Sequence, residues 1–180
     1  MKLTVLGSDG SWAGPGGAGS GYLLQRDGFN AIFDLGGGTL GRLQDHIAIA
    51  EINAIFISHV RPDHFADLYQ LSIACHYRGQ GPGSYRCFPR LPVRVGDDVF
   101  AYTGDGGPSD AIVSLAAAAD ILLSEATWLA GRGLPFHLTA RQAGEHAARA
   151  GASKLCLRTS SLASTRRCRS YRRARPSTVR

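Results

Sequence analysis

Residues 57–68 read ISHVRPDHFADL and directly follow the apolar run INAIF at 52–56. A nearly unbroken apolar run predicts a strand buried on both faces. The histidines then sit at its C-terminal mouth, where α/β proteins gather ligand-binding groups. His59, Asp63 and His64 can converge on one point there, because alternate residues at a strand end project the same way and a helix opening at Asp63 and His64 redirects the next pair. Two imidazoles and a carboxylate suit Zn2+, which takes such ligands at about 2 Å and in catalytic sites keeps a position open for water. A histidine at 61 would extend the series to His-x-His-x-Asp-His, but the residue is Arg61, whose guanidinium binds no metal cation. The plain alternative is an aspartate N-cap with two incidental histidines.

A second acid weighs against that alternative. Asp105 in AYTGDGGPSD is expected to end a later strand, and Gly106 and Gly107 after it leave little bulk in front of the carboxylate. Alone it would read as a turn aspartate; paired with the upstream motif it reads as a further metal ligand. His137 precedes Thr139, a good N-cap, and so lies at a helix start that attracts anions. His46, His76 and His146 fall in or near polar helical segments and read as surface or packing residues, and Trp12, Trp128 and Phe136 as core or rim. The glycines of GPGGAGSG and LGGG signal close backbone approach but match neither common phosphate-binding fingerprint.

The remaining segments give the class. GYLLQRD and NAIFDLG are strands joined at Asp27-Gly28, a strong hairpin signal. GGGTLGRLQDH turns into a helix, and DHFADLYQLSIACHYR has a helical apolar face of Phe65, Leu68, Leu71, Ile73 and Ala74. GQGPGSYRCFPRLP is a break. VFAYTGD, PSDAIVSLAAAAD, ILLSEATW, TARQAGEHAARAG and SKLCLR then alternate strand and helix, so the class is α/β.

The 180-residue chain, 44% hydrophobic, is long enough to bury a core without disulfides. Its net charge of +6 is misleading, since eight arginines and no acid lie between Arg158 and Arg180, and the rest of the chain carries −2. The body is no general polyanion binder, and residues 158–180 are expected to be a disordered basic tail after a domain of residues 1–157. Cys75, Cys87, Cys156 and Cys168 show no zinc-knuckle spacing, and free thiols suit a reducing compartment. With an N-terminal apolar run too short for a signal peptide and no membrane-length apolar segment, the protein is expected to be cytoplasmic, with no membrane partner.

The ordered segments MKLTVLGSDGS, FDLGGG, ISHVRPDH, AYTGD, LLSEATW and FHLTARQAGEHAARAG together resemble the metallo-β-lactamase superfamily, in its actinobacterial ribonuclease Z-like and cyclic-nucleotide phosphodiesterase branch. The resemblance implies an αββα sandwich, here incomplete, with one or two Zn2+ ions and a phosphodiester or nucleotide substrate, nucleic acid included; a homodimer is compatible with it. It makes His59 a ligand of a first zinc, Asp63 and His64 ligands of a second, and Asp105 the bridging carboxylate. Asp63 and His137 become the catalytic residues, His137 as the non-ligand histidine that assists the leaving group.

Three departures from the family pattern stand out. Arg61 replaces a histidine. A segment of several dozen residues carrying another histidine is missing near a join at residues 87–98. The last strand reads LCLRTSS where the family has Leu-Thr-His. Codons for Thr-His-Leu read one base late give Arg-Thr-Ser, so a change of reading frame would account for residues 158–160 and the tail. At most one well-held ion is expected. The functions in competition are a phosphodiesterase of impaired activity, a catalytically inactive remnant of one, and a nucleic-acid binder working through the tail.

Overall fold

The computed structural model describes residues 1–77, 85–87, 91–130, 135–158 and 169–172, of which 85–87, 91 and 169–172 are described by their backbone alone. They fall into two compact units, one within Met1–Arg90 and one built on Leu91–Arg158 together with residues 169–172.

The Asp27-Gly28 turn sets the register of the first unit. Both residues have positive φ, 48° and 81°, the geometry that matches the twist of a tight hairpin. It joins β2 (Gly21–Arg26) to β3 (Phe29–Leu35), with Leu24 opposite Ala31. β1 (Lys2–Gly7) pairs antiparallel with β2, while β4 (Ala54–Ile57) and β5 (Tyr85–Cys87) add in parallel, giving the order β1-β2-β3-β4-β5. The links between the parallel strands carry helices: α1 (Thr39–Leu43) and a 3-10 turn at Ile49–Glu51 before β4, then α2 (Pro62–Phe65) and α3 (Asp67–Tyr77) before β5. Leu23, Ile32, Leu43, Ile55, Ile57 and Leu71 form its core.

β4 is shorter than its apolar run and is not buried on both faces. Ile55 and Ile57 are buried, whereas Ala54 and Phe56 are half-buried, Phe56 stacking on Phe33 with ring centroids 4.9 Å apart. The apolar run was too short to separate full from one-sided burial, since both carry the same residue types. α3 likewise buries Leu71 and Cys75 but leaves Ile73 40% exposed.

In the second unit β6 (Leu91–Val95) and β7 (Asp98–Tyr102) form a hairpin, β8 (Ile121–Glu125) and β9 (Lys154–Arg158) add in parallel, and β10 (Arg169–Arg172) pairs antiparallel with β9. The order is β10-β9-β8-β7-β6. α4 (Asp110–Leu115), capped by Ser109, and α5 (Ala140–Ala150) make the crossovers. Thr139 caps α5 in a reciprocal pair with Gln142, and Gly151 at φ 68° ends it. Ala101, Ala116, Ala119 and Ala147 let the elements approach closely around Leu122 and Leu155.

Two elements depart from the sequence expectation. Part of the break at 79–92 and the join at 87–98 is strand, β5 in one sheet and β6 in the other; Pro92 hid β6, but an edge strand tolerates proline because one side of its ladder is unpaired. At the other end β9 closes on Arg158, the last residue of the expected strand SKLCLR, and Arg158 is 4% exposed. Residues 169–172 are strand, and the rest of the basic tail lies outside the described residues.

The glycine-rich segments bring backbone to backbone around Asp63. Ser20 N donates to the Asp63 carbonyl at 2.8 Å. A Cβ on Gly19 would come within 2.7 Å of that oxygen, and one on Gly36 would collide with it. Gly36→Ala is therefore expected to destabilise the fold by about 2–3 kcal/mol through overpacking and loss of this hydrogen bond. Gly41→Ala, inside α1 with open space around it, should be neutral or stabilising by up to about 1 kcal/mol. Urea unfolding midpoints of the two variants check the contrast.

Candidate metal centre

In the first unit the site starts from a buried carboxylate. Asp34, near the end of β3 and with no exposed surface, has φ 58°, a conformation that aspartate tolerates better than most residues. Its Oδ1 accepts from Ser58 N at 2.7 Å, and its Oδ2 accepts from Ser58 Oγ at 2.8 Å and from His64 Nδ1 at 2.7 Å. An ionised carboxylate only accepts, so Ser58 gives it its hydroxyl proton and has only lone pairs left for His59 Nδ1, 3.0 Å away. Both imidazoles thus carry their proton on Nδ1 and the lone pair on Nε2, the tautomer of a histidine whose outer nitrogen binds a metal.

The local chain supports this arrangement. Arg61 is extended as the N-cap of α2 and Pro62 occupies its first turn, so Asp63 and His64 leave the strand mouth on the first turn of a helix. The His59 and His64 rings lie 4.1 Å apart between centroids, and Asp63 Oδ2 is 3.4 Å from His64 Nε2. His64 is fully buried and Asp63 nearly so. Arg61 places Nε 3.7 Å from Asp63 Oδ1 and donates Nη2 to Ser11 Oγ at 3.3 Å. Within this unit His64 thus neighbours both His59 and Asp63, and a guanidinium stands beside Asp63.

The second unit holds Asp105 and His137. Asp105 lies three residues beyond β7 rather than at its end, and its Oδ1 accepts from Arg158 Nη2. The two side chains are 13% and 2% exposed. Gly106 and Gly107 serve their own backbones: Gly106 N donates to Glu125 Oε1, and Gly107 packs against the Pro135 carbonyl. Glu125, 1% exposed, also accepts from Thr127 Oγ1 at 3.0 Å and from His137 Nδ1 at 2.8 Å. His137 is held edge-on to Trp128 and Phe136. Its segment is fixed by Thr127 N donating to Leu138 O at 2.9 Å and Ala140 N to Trp128 O at 2.8 Å.

Four of these partners escaped the sequence reading: Asp34, Ser58, Glu125 and Arg158. Asp34 and Glu125 had a usable signal, since each is a single acid near the end of an apolar strand. Arg158 had none, because it opens a run of arginines. His46 and His76 are exposed as expected, and His146 packs on α5, with Nδ1 donating to Gln142 O at 2.7 Å. Trp12 and Phe136 are 65% and 59% exposed and belong to the surface, not the core.

Removing Asp34 should unsettle both imidazoles at once. Asp34→Ala is expected to weaken zinc binding by about 10- to 100-fold through loss of ligand orientation. It should also cost about 1–3 kcal/mol, because Ser58 N is left buried without its acceptor. Zinc titration and urea unfolding of the same variant check the two effects.

Residues 14–92 match the family model of the metallo-beta-lactamase superfamily. The uncharacterized protein Rv1339 of Mycobacterium tuberculosis is 29% identical over 218 positions, covering 87% of this chain and 80% of its own. That coverage is about 157 of 180 residues, so about 61 of the aligned positions have no counterpart in this chain. Among solved structures, the metallo-beta-lactamase fold protein YhfI from Bacillus subtilis superposes with a TM-score of 0.78 at 23% identity, over 88% of this chain and 85% of its own. The short form of human tRNase Z (ELAC1) gives 0.71 at 20% identity, over 90% and 93%. With its two mixed sheets and the superposition on these proteins, the chain has the metallo-β-lactamase fold, and its residues 14–92 are similar in sequence to the metallo-beta-lactamase superfamily.

Proposed function

We propose that the chain is a metal-dependent phosphodiesterase of impaired activity, with a cation held by His59, Asp63 and His64. The observation that carries the reading is the Asp34–Ser58 network, which sets both imidazoles in the metal-binding tautomer. The resemblance adds Asp105 as the further carboxylate, and the likeness to a tRNase Z supports a phosphodiester or nucleotide substrate, nucleic acid included. The buried thiols of Cys75 and Cys156 suit a reducing, cytoplasmic setting. Among the described residues no helix is long and apolar enough to cross a membrane.

A bound zinc ion supplies Lewis acidity toward a phosphoryl oxygen and makes water easier to deprotonate. The rest belongs to the chain's own groups. Asp63 is the carboxylate placed to take a proton from attacking water. His137, its Nδ1 proton committed to Glu125, delivers a proton to the departing oxygen from Nε2 only as the imidazolium, which carries a proton on both ring nitrogens. Glu125 holds that ring in place.

A second reading, an inactive remnant of such an enzyme, is favoured by Arg61 beside Asp63 and by Arg158 on Asp105. Zinc content and turnover of a generic aryl phosphodiester separate the two. The wild type should bind about one zinc per chain with low turnover, and His64→Ala should lose both. Turnover absent from zinc-loaded wild type would establish the remnant, and absence of zinc binding would defeat the proposal. Arg61→His should tighten zinc binding, since a positive charge that repels the cation and competes for Asp63 is replaced by a ligand, yet restore little hydrolysis. Unchanged affinity in that variant would show that Arg61 is not at the metal position.

A further inference from the structure

The first unit shows two large apolar side chains to solvent on and beside the motif at 59–64. Val60 is 76% exposed and Trp12 65%. Scattered apolar side chains are ordinary on a protein surface, but these two lie on segments tied to each other. Arg61, the neighbour of Val60, donates Nη2 to Ser11 Oγ at 3.3 Å, and Ser11 precedes Trp12. The loop that carries Trp12 is built to hold its shape. Asp9 N donates to Ala18 O at 3.0 Å, Gly14 N to Asp9 Oδ2 at 3.0 Å and Gly17 N to Gly14 O at 2.7 Å, while Arg42 donates to Gly16 O and Leu6 O. A Cβ on Gly17 would collide with the Asp9 carboxylate, so the loop wraps that acid closely. The charge these segments show to solvent is positive: the Arg61 side chain is 47% exposed and that of its neighbour Asp63 only 7%, and Asp9 accepts within its own loop.

We propose that Trp12 and Arg61 form a nucleotide-binding edge of the first unit, the indole stacking on the base and the guanidinium taking the phosphate. This deepens the functional reading and rests on it for the nucleotide class, but it needs neither a bound metal nor turnover. An exposed indole stacks on any flat heterocycle, and a preformed loop gives up little freedom on binding. A guanidinium meets phosphate oxygens with two parallel N–H bonds. Consecutive Cα atoms are about 3.8 Å apart, so Trp12 and the Ser11–Arg61 contact lie within the span of one mononucleotide. Arg61 then has a use at this position that does not involve a metal ion.

The test uses the full chain, as purified and after chelation of zinc, with adenosine 5′-monophosphate as the probe and ribose 5-phosphate, which lacks the base, as its comparison. The chain has two tryptophans, so Trp128→Phe leaves Trp12 as the reporter. Adenosine monophosphate should quench the fluorescence of that variant saturably. By calorimetry, Trp12→Ala should bind adenosine monophosphate about tenfold more weakly and ribose 5-phosphate within about twofold of wild type. Trp12→Phe keeps a ring to stack on and should hold adenosine monophosphate within about threefold of wild type. Arg61→Met should weaken both ligands about fivefold or more. A tryptophan that served folding alone would lower Tm and leave the ratio of the two affinities unchanged. Absence of saturable quenching in Trp128→Phe overturns the proposal, and so does equal adenosine monophosphate binding by Trp12→Ala and wild type. Either result spares the functional reading, which zinc content and aryl diester turnover test separately. Absence of zinc binding with adenosine monophosphate still bound through Trp12 defeats the functional reading and supports this site.

Discussion

The Asp34 carboxylate is the constraint on which the first unit depends. It sits where β3 gives way to the glycine run, and through Ser58 and His64 it ties together the end of β3, the end of β4 and the start of α2. One fully buried anion thereby fixes the position of three chain segments and the tautomers of two histidines. Its left-handed backbone conformation is the local strain that such a hub can hold, because three hydrogen bonds over-determine it. The glycines around it follow from the same geometry: Gly19 and Gly36 are bare because the Asp63 carbonyl occupies the space a side chain would need.

The second unit solves a different electrostatic problem. Asp105 and Glu125 are two acids with little solvent, and each has its own partner: Arg158 for Asp105, and a set of backbone, hydroxyl and imidazole donors for Glu125. The division matters for chemistry. A carboxylate satisfied by neutral donors and an imidazole orients that imidazole, whereas one paired with a guanidinium has its charge cancelled within the protein. The first arrangement equips His137 to move a proton. The second keeps a carboxylate and a guanidinium buried together as a pair.

Much of the fold was legible because it follows from local rules. The Asp-Gly hairpin, the Thr139 cap, the terminal Gly151 and the strand–helix alternation after residue 98 all rest on backbone preferences that act within a few residues. The motif at 59–64 was legible for the same reason, its spacing being set by one strand end and one helix start. β5 and β6 were missed because short strands rich in polar residues and proline have no apolar period; their existence depends on neighbours they pair with.

The sequence by itself determined the α/β class, the family likeness and the two imidazoles and carboxylate offered at 59, 63 and 64, since these depend on residue identity and near neighbours. Tertiary structure alone decided which group faces which acid. Asp34 meets His64 across 30 positions, and Asp105 meets Arg158 across 53. No local pattern encodes such pairings, because they arise only when separate strands are aligned by the burial of their apolar faces. Arg158 shows the difference most sharply: by composition it opens a basic tail, and by the register of β8 and β9 it is a buried cation opposite Glu125. Burial turns the charge of a tail residue into a property of the site, because water no longer screens it from Asp105.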